Sequence, residues 1–290
     1  LDREAKRADV SAEVALPPVA FDGVYYRLPE AEYHAYEAIS ASGAKKILRS
    51  PMHYKLMRDQ PSEPTEAMEF GTAVHCGVLE PDRYSSRVVL SPTFNKRTNS
   101  GKAEFAAFCQ EHAGKIVLAP AEHEAAAKCI AAVRSSPAAR RLLRGAFTEV
   151  SLFWRDGQYD VPCKARYDAI NLGGIVDVKT TRDASPQEFG KSAANFLYHV
   201  QGAQYRNGHE AVFNESPEFF AMICVESEPP YAVAVYDLDH VAILAGMRLM
   251  DEAMSRYREA LAAGKWPGYD ERITTLELPR WATRFDYPGK

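Results

Sequence analysis

The run Gly174-Ile175-Val176-Asp177-Val178-Lys179-Thr180-Thr181 is apolar on both sides of its one acid. That pattern reads as a strand buried on both faces at the centre of a sheet. Asp177 and Lys179 are two residues apart, so in a strand they point to the same face. A charge in so apolar a strand is costly unless it is paired or bound to a metal. A second acid, Asp168, precedes the run across turn residues Asn171 to Gly174. Two carboxylates at the ends of adjacent strands can reach one cation, and a hard cation such as magnesium takes oxygen ligands of this kind. A lysine beside them can position or deprotonate a metal-bound water, or stabilise charge developing on a phosphate. An Asp-x-Lys triplet alone is common and usually marks a solvated strand face. The apolar setting and the second acid shift the reading towards a phosphodiester-cleaving site.

The rest of the sequence narrows the class. No apolar run approaches the 18 or so residues a transmembrane helix needs, and the N-terminus lacks the basic-then-apolar pattern of a secretory signal. The five cysteines form no CxxC pair, which disfavours a disulfide framework, a structural zinc site or an iron–sulfur cluster and points to the cytoplasm. The net charge is -4. Proteins that coat nucleic acid are usually basic, so DNA binding here would need a confined or enclosing site. A chain that opens on Leu1 reads as a trimmed piece of a longer product.

Residues 1–20 are charged and Ala-rich and end in Pro17-Pro18, as expected for a tail or linker; residues 21–290 are taken as one domain. The aromatic segment 21–36 is expected to pack on the domain surface. Residues 39–57 read as a helix capped by Ser40 or Ser42 and broken near Ser50 by Pro51. A second helix, 66–81, carries His75 on the same stripe as Met68, Thr72 and Leu79, with Gly71 permitting close packing. Residues 93–105 form a basic, turn-rich loop, with a helix from about 101, and 121–143 an Ala-rich helix broken at Pro137. Short strands fill 148–181, a helix 187–214, two further strands of the same sheet 218–226 and 231–238, and a long helix 239–263 ending at Gly264. The aromatic, Pro-rich tail after it is expected to wrap the domain.

Taken in order, ISASGAKKILRSPMHY, MEFGTAVHCGVLEP, CKARYDAI, IVDVKTT, YHVQGAQYRNGHEA and the tail WPGYDERITTLELP span about residues 39–281. This series resembles the PD-(D/E)xK nucleases, and among them the RecE-like exonucleases of the RecB-like branch. The resemblance implies an α/β fold with a central mixed β-sheet flanked by helices. It also implies a magnesium-dependent site in which manganese can substitute. His75, Asp168 and Asp177 match the metal-binding residues, Lys179 the catalytic lysine, and Gln201 and Tyr205 a helix motif that lines the site and contacts substrate. Glu149 matches a further acid on the first strand, and a surface glutamate is the equal alternative. Ser42, Lys45 and Arg182 are candidates for DNA phosphate. By likeness the activity is 5′-to-3′ digestion of double-stranded DNA ends, leaving 3′ strands for a single-strand annealing protein, by a ring-shaped homo-oligomer. A ring would supply the enclosure that the acidic balance calls for. An endonuclease, a single-strand-specific RecB-like nuclease, and a DNA-end-binding module without turnover are the alternatives.

Overall fold

The computed structural model describes residues 23–60 and 62–278 of the chain. The expected tail, 1–20, lies outside the described residues. The N-terminal part contains β1 (Gly23–Tyr26), α1 (Glu30–Ala35), α2 (Ala41–Arg49), α3 (Pro51–Asp59), α4 (Glu66–Leu79) and α5 (Tyr84–Arg87). The middle adds β2 (Val88–Leu90), α6 (Asn99–Glu111), β3 (Ile116–Leu118), α7 (Pro120–Ser135) and α8 (Pro137–Leu143). Then follow β4 (Phe147–Asp156), β5 (Val161–Asn171), β6 (Gly174–Thr181), α9 (Pro186–Asn195), α10 (Tyr198–Phe213), β7 (Phe220–Glu226), β8 (Val233–Asp237) and α11 (His240–Ala263).

The main sheet has the order β1-β4-β5-β6-β7-β8. Every neighbouring pair is antiparallel except β6 and β7, which run parallel and so require the α9–α10 crossover between them. This is the mixed, helix-flanked sheet that the motifs led us to expect. Strand β6 lies inside it, and Ile175, Val176 and Val178 are fully buried. Alternation sends Ile175 into a core shared with α2, α10 and α11, whereas Val176 and Val178 enter a second core under α4, α7 and α8.

Local signals placed most of these elements. Ser40 caps α2 by accepting from Gly43 N at 3.2 Å, so Ser42 is an ordinary first-turn residue and not the cap. Ser50 is extended, ends α2 and caps α3 through His53 N, because Pro51 can start a helix but not continue one. Gly264 closes α11 in the left-handed region, with φ 62°.

Four expectations need revision. The aromatic N-terminal segment does more than pack on the surface: β1 pairs with β4 and becomes an edge strand. The basic loop expected over 93–105 is shorter, because the helix expected from about 101 already begins at Asn99, capped by Thr98. The helix expected over 187–214 is two helices, parted where Leu197 adopts φ 53° and ψ 48°. In α4 an alanine at Gly71 would only touch Thr180 Oγ1 at 3.4 Å, whereas a Cβ at Gly77 would lie 2.1 Å from Ile130 Cδ1. Gly77 is therefore the glycine that this helix packing requires.

The tail does fold back in its first part. Trp266 stacks on Tyr54 at 5.8 Å, Met52 N donates to Pro267 O, and Arg49 Nε donates to Tyr269 OH at 3.3 Å. Beyond it, Ile273 and Leu276 are exposed. Among the described residues no helix is long and apolar enough to cross a membrane, and all five cysteines are free thiols.

Candidate active site

Strands β5 and β6 pair over three positions next to their turn, ending at Ala169 and Val176. Beyond that point they part. Asp168, which lies inside the eleven-residue β5 and not at its end, fills the gap: its Oδ2 accepts the Val178 N–H at 2.6 Å. A side chain thus takes the place of a ladder carbonyl, and an acid is anchored beside the central strand.

Asp177, one residue earlier on β6, is 1% exposed. Its Oδ1 accepts from Gln201 Nε2 at 2.7 Å, and its Oδ2 is in ion-pair contact with Lys179 Nζ. Burial disfavours the ammonium of Lys179, but Asp177 and Asp168 outweigh it, and the lysine's pKa is raised. Lys179 therefore sits here as a cation and not as a base.

Helix α10 supports this pair from behind. Gln201 and Tyr205 are one helical turn apart, so both reach the same strand. Gln201 Nε2 also donates to Tyr205 OH at 3.1 Å, and Tyr205 OH donates to the Arg166 carbonyl at 2.6 Å. Both side chains are buried. The resemblance has them touching substrate; here the Gln201 amide nitrogen is engaged by Asp177 and by Tyr205 OH, and that hydroxyl by backbone, which fixes the carboxylate's orientation.

His75 approaches from α4, on the opposite side of the sheet. Its Nε2 contacts the Val178 carbonyl, and its Nδ1 lies 3.5 Å from Asp168 Oδ2. With Nε2–H as donor, the Nδ1 lone pair faces a carboxylate oxygen, a repulsive pair unless a proton or a cation lies between them.

Glu149 closes the same corner. It stands opposite Asp168 in the β4–β5 register, in a break of the ladder between Thr148↔Ala169 and Val150↔Tyr167. Its φ of 53° puts a non-glycine residue in the left-handed region, a local strain in β4. Burial, and then the charge of Asp168, push its carboxyl up to about 7. The nearest cation is Arg166, at 3.9 Å. The alternative of a solvated surface glutamate is not what the structure has. Asp168 too is raised, by burial first and with Asp177 adding to it.

Lys45 reaches the site from α2, and the sequence singled it out only as a phosphate contact. Its Nζ lies 5.3 Å from the centre of the Tyr198 ring, and Lys179 Nζ lies 5.1 Å from the same ring. Burial, and then the like charge of Lys179, lower its pKa to about 8. Ser42 is exposed one turn earlier on α2, and Arg182 is exposed just past β6, away from the hydrogen-bonded cluster. Tyr198 was missed by sequence reasoning, although it opens the YHVQGAQY motif; an aromatic at a helix start gives no signal of its own.

Residues 40–279 match a family described as a PDDEXK-like domain of unknown function, DUF3799. The chain belongs to this family. Two solved structures resemble the DUF3799 chain. One is a "putative exonuclease" from Eubacterium rectale, at TM-score 0.57 and 14% identity, covering 86% of this chain and 92% of that one. At that identity it shares the fold alone. The other, SSO0001, has a TM-score of 0.28 and 17% identity over 74% of this chain and 84% of its own, too low to carry any argument. No curated protein matches the sequence.

The PDDEXK-like fold is generally metal-dependent, and the DUF3799 site fits a hard divalent cation by its donors: carboxylates at Asp168, Asp177 and Glu149, and a lone pair on His75 facing Asp168. Asp177 Oδ2 has no hydrogen bond of proper geometry, only the Lys179 contact. Among the described residues, however, no three such groups stand close enough to form a ready-made cluster. Val178 and Lys179 occupy the very atoms that a cation would claim.

Proposed function

We propose that this chain is a metal-dependent deoxyribonuclease of the RecE-like kind, which digests linear double-stranded DNA from its ends, 5′ to 3′. Membership of a nuclease superfamily is the general support. The observation that carries the reading is a buried Asp177–Lys179 pair on the central strand, beside an Asp168 that holds the point where β5 and β6 part. A core carries a charged pair of this kind at a cost, and hydrophobic packing would be cheaper.

Each residue has a job in this reading. A magnesium or manganese ion, held by Asp168 and Asp177 with His75, would neutralise phosphate charge and acidify a water when bound. The Lys179 ammonium stabilises the charge that develops on the phosphate. Gln201, backed by Tyr205, keeps Asp177 in one orientation. Lys45 and Ser42, on one face of α2, take DNA phosphates, and Arg182 reaches the strand further out. The product is a 3′ overhang for an annealing partner. A ring of subunits would hold the duplex despite the chain's net charge of -4.

The test uses linear duplex labelled at the 5′ or the 3′ end, and a covalently closed circle, each with and without magnesium. Release of 5′ label first, in magnesium only and with the circle left intact, is expected. Cutting of the circle would replace the exonuclease reading with an endonuclease. Binding of ends without release of any label would make the protein an end-binding module.

Gln201→Leu separates orientation from substrate contact. Loss of the Asp177 hydrogen bond should lower kcat about 10-fold and leave KM for DNA unchanged, because the buried amide supports the carboxylate and not the nucleic acid. A rise in KM at constant kcat would instead put Gln201 on the substrate.

A further inference from the structure

Helices α9 and α10 meet at Phe196 and Leu197, next to the site. The left-handed Leu197 turns its own side chain into the core beneath α10, which leaves Phe196 62% exposed. A leucine in that conformation is uncommon, and the turn would be easier for glycine. A lone exposed aromatic is ordinary. This one is the outer end of a stack of rings. Phe196 stacks on Tyr198 at 5.9 Å and 24°. Tyr198 leans on the buried Phe189 at 6.0 Å, and Phe189 stacks on Tyr236 at 5.4 Å and 12°. The outer ring is thereby backed by rigid neighbours down to the core.

Tyr198 is also the ring flanked by the ammonium groups of Lys45 and Lys179. Among the described residues Lys45 forms no ion pair, so its charge stays available to an incoming anion. One polar and one flat apolar surface therefore lie side by side: two cations for phosphates, then an exposed ring one aromatic neighbour away. A nucleotide has the same two parts, an anionic phosphate and a flat base.

We propose that Phe196 is a stacking platform for an unpaired nucleobase at the end of the strand entering the site. It holds the base after it has left its partner, while Lys45 takes a phosphate of the same strand. Stacking on a ring accepts any base, since each has a π-face. This deepens the nuclease reading and rests on it. The ring contributes no chemistry to cleavage; it stabilises the unpaired state of the end, so its effect depends on whether the substrate has already been unpaired.

The experiment compares a blunt duplex with one of the same sequence whose terminal nucleotides are mismatched. Phe196→Ala and Phe196→Leu should digest the blunt duplex about 10-fold more slowly than the parent and should approach the parental rate on the mismatched end. Phe196→Trp should restore the blunt-end rate. With 2-aminopurine as the terminal base and calcium in place of magnesium, binding should quench its fluorescence in the parent and in Phe196→Trp, and not in the alanine or leucine variants. Parental rates for Phe196→Ala on both substrates, or equal losses on both with the quench retained, would overturn the proposal. A parent that digests neither substrate would instead overturn the nuclease reading itself.

Discussion

Exchanging Lys179 for methionine is expected to lower duplex digestion at least ~100-fold, the loss typical when one preorganised charge facing a transition state is removed. The same exchange should also destabilise the protein. Among the described residues Lys179 Nζ is the one charged partner of Asp177 Oδ2, and taking one partner from a buried pair leaves the other uncompensated. At a cost of about 3 kcal/mol the melting temperature should drop by roughly 6 °C. Adding Asp177→Asn to Lys179→Met removes the orphaned carboxylate, so the double variant should recover more than half of the lost stability and remain inactive. Turnover on labelled duplex and thermal unfolding measure the two effects separately. Parental turnover in Lys179→Met would end the catalytic assignment. Equal melting of the single and double variants would show that the pair is not a unit in folding.

The second large effect is on stability and depends on pH. The Glu149 carboxyl, pushed up to about 7 by burial and by Asp168, has an ordinary value of 4.5. Between these values the folded protein holds a proton that the unfolded chain has released. Stability therefore falls as pH rises from 4.5 towards 7, and the penalty is complete above 7. For one group it amounts to up to ~3 kcal/mol. In chelator, Glu149→Gln should melt above the parent at pH 8 and with it at pH 4.5. Magnesium should raise the parent's melting temperature at pH 8 more than the variant's, because a cation relieves the same crowding of carboxylates. A parent and variant that melt together at both pH values would place Glu149 outside the cluster.

That Asp177 and Lys179 share a face inside an apolar strand follows from alternation along eight residues, which any strand enforces. The role of Glu149 does not follow from its neighbours in sequence. It sits in the break of the β4–β5 ladder opposite Asp168, and its raised pKa comes from burial and from that acid, with Arg166 and His75 opposing it from elsewhere in the chain. Gln201 is similar. Its spacing from Tyr205 puts both on one helix face, but only the packing of α10 on the sheet aims that face at Asp177.

What depends on local geometry was legible along the chain: the buried run of β6, the turn at Asn171 to Gly174, the helix breaks at Pro51 and Pro137, the stop at Gly264, and the ordered motifs that resemble a PD-(D/E)xK nuclease. Tertiary structure alone decided which groups meet. It paired β1 with β4, split the 187–214 helix at Leu197, and brought His75 and Lys45 to the site from opposite sides of the sheet. Backbone periodicity and steric limits act over a few residues and can be read in order along the chain. Burial and charge coupling act through space, between residues such as Lys45 and Lys179 that are far apart in sequence, and they exist only once the sheet has been assembled.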